Sequence, residues 1–253
     1  MATKRKIYRF RRGDIIDVEE YHDGRYGAPG ERRQKKKKPT KEQMIAVNHM
    51  NKTRTCRQRL LAYFGSGDYF VTWTYKPQER PPDMKAALKD FGKAIRKLRE
   101  KYRKAGYTLR WIRNIEKGTK GAWHIHLVIN QIPGAAEAIE NAWTHGGTYI
   151  TQLRKSPYFD EDFSRLAAYL TKDSDTREEK KDGTKAKPRI REASYNTSRN
   201  MPLPEPKKKK LKRWPKEPKP SKGYYIARIH EGINPATGYK YRRYTMIRLN
   251  RRI

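Results

Sequence analysis

Three short clusters in the chain carry side chains able to do chemistry together: Glu116, the pair His124 and His126, and Tyr169 with Lys172. In the stretch 121–130, alternation along a strand puts Trp123, Ile125, Leu127 and Ile129 on an apolar face and His124, His126, Val128 and Asn130 on the other. Two imidazoles pointing the same way are half of what a metal site needs, because neutral imidazole is the commonest protein metal ligand. Cys56 is the only cysteine, so neither a disulfide within the chain nor a thiolate zinc site is available. Nitrogen and oxygen ligands alone favour a harder divalent cation. Tyr169 and Lys172, three apart in a helical pattern, share a helix face, so a phenol and an ammonium reach the same place. A phenol of pKa about 10 is a poor nucleophile at neutral pH. A site that uses one must stabilise the phenolate or the group it attacks, and a Lewis-acidic cation or the charge of Lys172 does this.

The elements that must position these residues are legible from periodicity. Thr40 to Gln43 has the form of a capping box opening a helix over 41–66, with a basic side. Tyr69 to Tyr75 is β-branched and aromatic throughout and reads as a strand carrying Thr72 and Thr74. Apolar residues at three- and four-residue spacings predict a helix over 83–105, stopped by Gly106. A strand over 109–116 then turns through two glycines into the histidine strand. Opposed residues of an antiparallel pair share a face. Glu116 joins the histidines if the register pairs it with His124 or lies two residues away, and a one-residue slip removes it. A helix over 133–143, a strand over 148–153 and a helix over 160–171 follow. The first six elements match a βαββαβ, ferredoxin-like order in an α+β fold. Its antiparallel sheet carries both helices on one face, and the last helix is expected across the other, where the histidines lie.

Around this core the composition is extreme. The chain has 253 residues, 61 Lys and Arg against 27 Asp and Glu, and a formal net charge of +34. Such an excess destabilises a compact fold by self-repulsion unless a polyanion is present, so nucleic acid is the expected partner. No apolar run approaches the roughly 20 residues of a membrane span, and no secretory signal opens the chain. Five segments are expected: a basic, partly ordered arm over 1–40, the basic helix over 41–66, the central domain over 67–175, a charged and Pro/Lys-rich linker over 176–222, and a terminal hairpin over 223–253.

Taken in order, Thr72-Trp73-Thr74-Tyr75, His124-Ile125-His126 and Tyr169-Leu170-Thr171-Lys172 resemble the three motifs of the HUH endonucleases. More narrowly they are similar to the rolling-circle replication initiators of bacterial plasmids, phages and integrative elements. The resemblance spans about 69–172, with weaker similarity in the upstream helix and in Ser198-Arg199-Asn200. It implies that His124, His126 and an upstream acid, for which Glu116 is the candidate, hold Mg²⁺ or Mn²⁺. It also implies that Tyr169 attacks a phosphodiester of single-stranded DNA at an origin, helped by Lys172, leaving a 5′-phosphotyrosine and a 3′-hydroxyl primer. Single-tyrosine transposases and relaxases use similar chemistry. Relaxases often place the tyrosine before the histidines, whereas Tyr169 follows them here. The non-enzymatic alternative is a basic nucleic-acid-binding module built on the same sheet.

DNA contacts are expected from Arg32, Arg33, Lys35, Lys36, Lys37, Lys38, Arg54, Arg57, Arg110, Arg113, Lys120 and Arg165. Trp73, Trp111 and Trp123 are expected to stack on bases wherever they are not in the core. Tyr149, Tyr158 and Tyr195 read as packing or stacking residues, and His145 as a loop residue. No phosphate-binding loop is present, so a separate helicase, a host polymerase and an origin hairpin are the expected partners, in the cytoplasm of a bacterial host cell. A homo-oligomer is left open, since the motif offers one tyrosine for two cleavages.

Overall fold

The computed structural model describes residues 3–22, 35, 38–174, 189–234 and 238–249. In chain order the elements are β1 (Thr3–Phe10), β2 (Ile15–His22), α1 (Lys41–Tyr63), β3 (Tyr69–Thr74), α2 (Met84–Lys104), β4 (Trp111–Gly118), β5 (Trp123–Ile129), α3 (Ala135–Ala142), β6 (Thr148–Gln152), α4 (Ser164–Thr171), β7 (Ile190–Thr197), β8 (Lys207–Leu211), β9 (Tyr224–Asn234) and β10 (Tyr239–Arg248). The chain divides into two compact units, Met1–Met50 with Leu203–Ile253, and Asn51–Pro202. Among the described residues no helix is long and apolar enough to cross a membrane.

The second unit is an antiparallel sheet in the order β6-β3-β5-β4-β7. Its first four strands are compatible with a ferredoxin-like core. The odd-numbered residues of β5 pack with Val71, Trp73 and Ile115 against Phe91, Ile95 and Leu98 of α2 and Ile139 of α3. This is why Trp73, Trp111 and Trp123 are all buried core residues, so the condition under which they were expected to stack on bases is not met. Asp83 starts α2 by accepting from the backbone N–H of Ala86 at 2.8 Å, as a capping carboxylate does.

Two glycines set features on which the site depends. Gly121, at φ +80°, closes the β4–β5 turn with its N–H donating to the Gly118 carbonyl at 2.9 Å, while Gly118 N–H donates to Ala122 O at 2.8 Å. A side chain is strained at that φ, and the turn fixes the register that pairs Glu116 with His124 and Asn114 with His126. Gly146 crosses β3 so closely that a Cβ there would overlap the Thr74 carbonyl. That carbonyl also accepts the Trp143 indole N–H at 2.9 Å.

Parts of the expected partly ordered arm over 1–40 and of the charged, Pro/Lys-rich linker over 176–222 are strands, while 1–2, 23–34, 36, 37 and 175–188 lie outside the described residues. Residues 3–22 form the hairpin of β1 and β2, and the lysine run supplies β8. With the terminal hairpin β9–β10 they make one antiparallel sheet, ordered β8-β1-β2-β10-β9. The reason lies in cross-strand pairing: Ile16 and Val18 pack with Tyr244, Met246, Ile7 and Ile226, and the acidic patch supplies counter-charges. Glu20, fully buried, takes Arg5 at 2.5 Å and Arg242 at 3.1 Å. Similarly β7, expected within the linker, pairs with β4. In the first unit Thr40 and Gln43 form the reciprocal capping bonds, at 3.0 and 3.2 Å. The turn residues 235–237 between β9 and β10 lie outside the described residues.

Candidate active site

The face of the second unit's sheet opposite α2 and α3 gathers the chemical side chains. The β4–β5 register places Asn114, Glu116, His124 and His126 on it, and the β3–β5 register adds Thr72 opposite His126 and Thr74 opposite His124. Glu116 Oε1 lies 2.8 Å from His126 Nε2, and Lys172 Nζ lies 2.9 Å from Glu116 Oε2. The Tyr169 hydroxyl is 2.9 Å from His126 Nε2 and 3.3 Å from Nδ1, with Thr72 Oγ1 3.2 Å from Nδ1. His124 stacks on His126 with ring centres 6.0 Å apart. A carboxylate, two imidazoles, a phenol and an ammonium therefore converge on one patch.

The helix carrying Tyr169 is held by polar ties at both ends, buried at its start and part-buried at its end. Asp162 accepts from the N–H and hydroxyl of Ser164 at the start of α4, at 3.1 and 2.8 Å. It also pairs with the Arg57 guanidinium at 3.0 Å. At the other end Thr171 shares a 2.7 Å hydrogen bond with Thr53, and Lys52 pairs with Asp173 at 3.0 Å. Asn114 donates to the Lys172 backbone carbonyl at 3.0 Å, which fixes the point where the chain leaves the helix. Tyr158 stacks on Tyr169 at 3.6 Å between ring centres, Phe70 meets both rings edge-on, and Lys172 Nζ sits 3.9 Å over the Tyr169 ring.

These surroundings set the electrostatics. Burial pushes the Tyr169 phenol well above its ordinary pKa, reinforced by its hydrogen bond with Tyr158 and the charge of Glu116. Burial acts the same way on Glu116, but the hydrogen bond and charge of His126, with the Lys172 ammonium, together outweigh it and hold the carboxyl below its ordinary value. Burial, then the neighbouring His126, lowers His124 and favours its neutral, ligand-competent form. The donor chemistry suits a hard divalent cation. Yet Glu116 and His126 bond each other directly, and among the described residues no group of three or more His, Cys, Asp or Glu is arranged to hold a metal ion. One ring nitrogen cannot satisfy both the Glu116 oxygen and the Tyr169 hydroxyl. Glu116 Oε2 is met by the Lys172 ammonium, whereas the buried Asn114 Oδ1 has no hydrogen-bond partner among the described residues. The pocket is thus polar and crowded.

Residues 68–174 match the family model of the ORF2-type replication-associated proteins. That family fits a rolling-circle replication initiator. The matched segment contains the whole constellation, from Thr72 to Lys172, and supports a replication initiator role, which implies DNA binding. No curated protein and no solved structure matches the chain.

Within the second unit, the expected DNA-contacting residues divide by burial. Lys120 and Arg165 are exposed. Arg57 and Arg113 are interior: Arg57 is the buried partner of Asp162, and Arg113 donates to the Ser194 carbonyl and lies 5.0 Å over the Phe91 ring. Desolvation explains the Arg113 pKa, lowered to about 10, and neither residue presents its charge to solvent. Arg110, half-buried, lies over the Tyr63 ring, and Arg54 is also half-buried. Upstream of the segment Lys35 and Lys38 are exposed, whereas Arg32, Arg33, Lys36 and Lys37 lie outside the described residues. Downstream, Ser198 and Asn200 tie the end of β7 to Trp111 and Leu109, a structural role. Sequence reasoning passed over Asn114, whose place two residues before Glu116 on a strand was the available signal. Tyr149, opposite Thr72 and 63% exposed, presents an open ring on the same face as the histidines.

Proposed function

We propose that the second unit nicks and rejoins single-stranded DNA at a replication origin, with Tyr169 as nucleophile. His124, His126 and Glu116 would hold Mg²⁺ or Mn²⁺, which supplies Lewis acidity to a phosphoryl oxygen when bound. The Tyr169 oxygen forms a bond to phosphorus and gives up its proton. The P–O3′ bond breaks and the leaving oxygen takes a proton. A 5′-phosphotyrosine and a 3′-hydroxyl result, the latter a primer for a host polymerase. Because burial disfavours the phenolate, the Lys172 ammonium over the Tyr169 ring has a defined role, in that its charge stabilises the ionised ring or the departing oxygen. The phosphotyrosyl bond keeps the energy of the diester, so a later 3′-hydroxyl reverses the step and joins strands.

The observation that carries this reading is the Tyr169 hydroxyl 2.9 Å from the nitrogen of His126 that also faces Glu116. The test incubates the protein with Mn²⁺ and a library of single-stranded oligonucleotides. A covalent adduct is expected, with His124→Ala and His126→Ala abolishing it while sparing most DNA affinity. Binding without any adduct across a diverse library would leave a non-catalytic module. Equal loss of affinity and cleavage in the histidine variants would make those residues structural.

A further inference from the structure

The two faces of the first unit's sheet handle charge differently. Across the strands, Arg5, Glu20, Arg242 and Glu231 stand in register, so on the core-side face Glu20 takes both Arg5 and Arg242, and Lys209 opposes Arg5 at the β8 edge. The opposite face carries the rows Lys208, Lys6, Glu19, Arg243, His230 and Lys210, Lys4, Tyr21, Tyr241, Gly232. There Lys4 opposes Lys210 and Lys6 opposes Lys208. Like charges directly opposite on a strand pair are destabilising. The strand acids of this face, among the described residues, are Asp17, which accepts a hydrogen bond from Thr245 at 2.9 Å, and Glu19.

Aromatic rings lie among these cations. Lys6 Nζ is 5.1 Å over the Tyr21 ring and the Arg243 guanidinium 5.3 Å over Tyr241. Tyr241 lies across β9 at Gly232, where a Cβ would fall 2.8 Å from its hydroxyl and 2.9 to 3.0 Å from its ring. Beside Tyr21, Lys4, Lys6, Lys208 and Lys210 line a groove of about 420 Å³. Cations that track a backbone, interleaved with rings on a sheet face, form the combination that holds single strands. A duplex offers no base face to such rings.

We propose that this face is a second nucleic-acid site, separate from the nicking chemistry. It takes the phosphates of single-stranded DNA on Lys4, Lys6, Lys208 and Lys210 and stacks bases on Tyr21 and Tyr241. The choice of DNA rests on the replication reading; the face itself does not.

The test uses the full chain and a labelled oligothymidylate, with affinity read by fluorescence anisotropy from low to moderate salt. In the quadruple variant Lys4→Gln, Lys6→Gln, Lys208→Gln, Lys210→Gln, the slope of log affinity against log salt is expected to shrink by about 0.7 for each lost phosphate contact. Thermal unfolding of the variant is read first, so that binding is compared on folded protein. Tyr21→Leu is expected to weaken binding about five-fold or more with the slope unchanged. An unchanged slope and affinity in the folded quadruple variant would overturn the proposal. So would tighter binding of duplex than of single strand, or a quadruple variant that loses binding to phosphatidylserine vesicles but not to the oligonucleotide. If the parent forms no covalent adduct but the slope difference persists, the nicking reading fails and this one stands.

Discussion

Arg57 decides between two accounts of the basic residues near the site, and its substitution has a magnitude the geometry supports. Its guanidinium is 3.0 Å from Asp162, with side-chain exposures of 10% and 8%, and Asp162 holds the start of α4 through Ser164. In Arg57→Met the carboxylate keeps both Ser164 hydrogen bonds but loses its buried counter-charge. Breaking a buried pair from one side costs about 3–5 kcal/mol. For a domain of this size that corresponds to a fall in Tm on the order of 6 to 20 °C. The double variant Arg57→Met, Asp162→Leu is expected to recover only part of the loss, because no uncompensated charge remains but both Ser164 hydrogen bonds are gone. Thermal and urea unfolding of the parent, the two single variants and the double variant supply the full cycle. An Arg57→Met protein as stable as the parent but weaker in DNA binding would refute the reasoning and return Arg57 to the DNA surface.

Three further outcomes follow from single contacts. Thr72→Val removes the hydroxyl beside His126 Nδ1; a loss of about 1 kcal/mol of stability is expected, with a slower nicking rate and unchanged DNA affinity. Gly146→Ala forces the loop off the Thr74 carbonyl and should lower Tm by several degrees, read by calorimetry, whereas Gly65→Ala, with open space around it, should not. Burial raises the Cys56 thiol from 9.0 to about 12, so its contribution to stability is complete below pH 9 and lost as pH rises towards 12. Urea titrations at pH 8 and pH 10.5 check this, the midpoint shift being smaller in Cys56→Ala, where buried phenols such as Tyr102 and Tyr195, whose values burial also raises, account for the remainder.

The second unit was legible because its strands alternate apolar with polar residues and its helices repeat at helical spacing. The register of Glu116 against His124 followed once the turn between the strands was known, and Gly121 explains that turn. The first unit was not legible, because β1, β2 and β8 alternate charges of opposite or like sign instead of apolar and polar residues. A run such as Lys207 to Lys210 reads as a tail until its partner strand is known. Arg57 and Arg113 were misplaced for a related reason. A sequence shows that a residue is charged, but not that Asp162 or the Ser194 carbonyl awaits it inside. Trp73, Trp111 and Trp123 went to the core because α2 and α3 cover their face.

Two stacked phenols stand at the site, Tyr158 and Tyr169, with ring centres 3.6 Å apart, and only Tyr169 has its hydroxyl against His126. The decisive measurement is therefore mass spectrometry of the adduct formed with Mn²⁺ and a single-stranded oligonucleotide, after nuclease and trypsin digestion. A nucleotide phosphate attached to Tyr169, and no adduct from Tyr169→Phe, is the predicted result. Attachment to Tyr158 or another residue, or an adduct that survives Tyr169→Phe, would contradict the account.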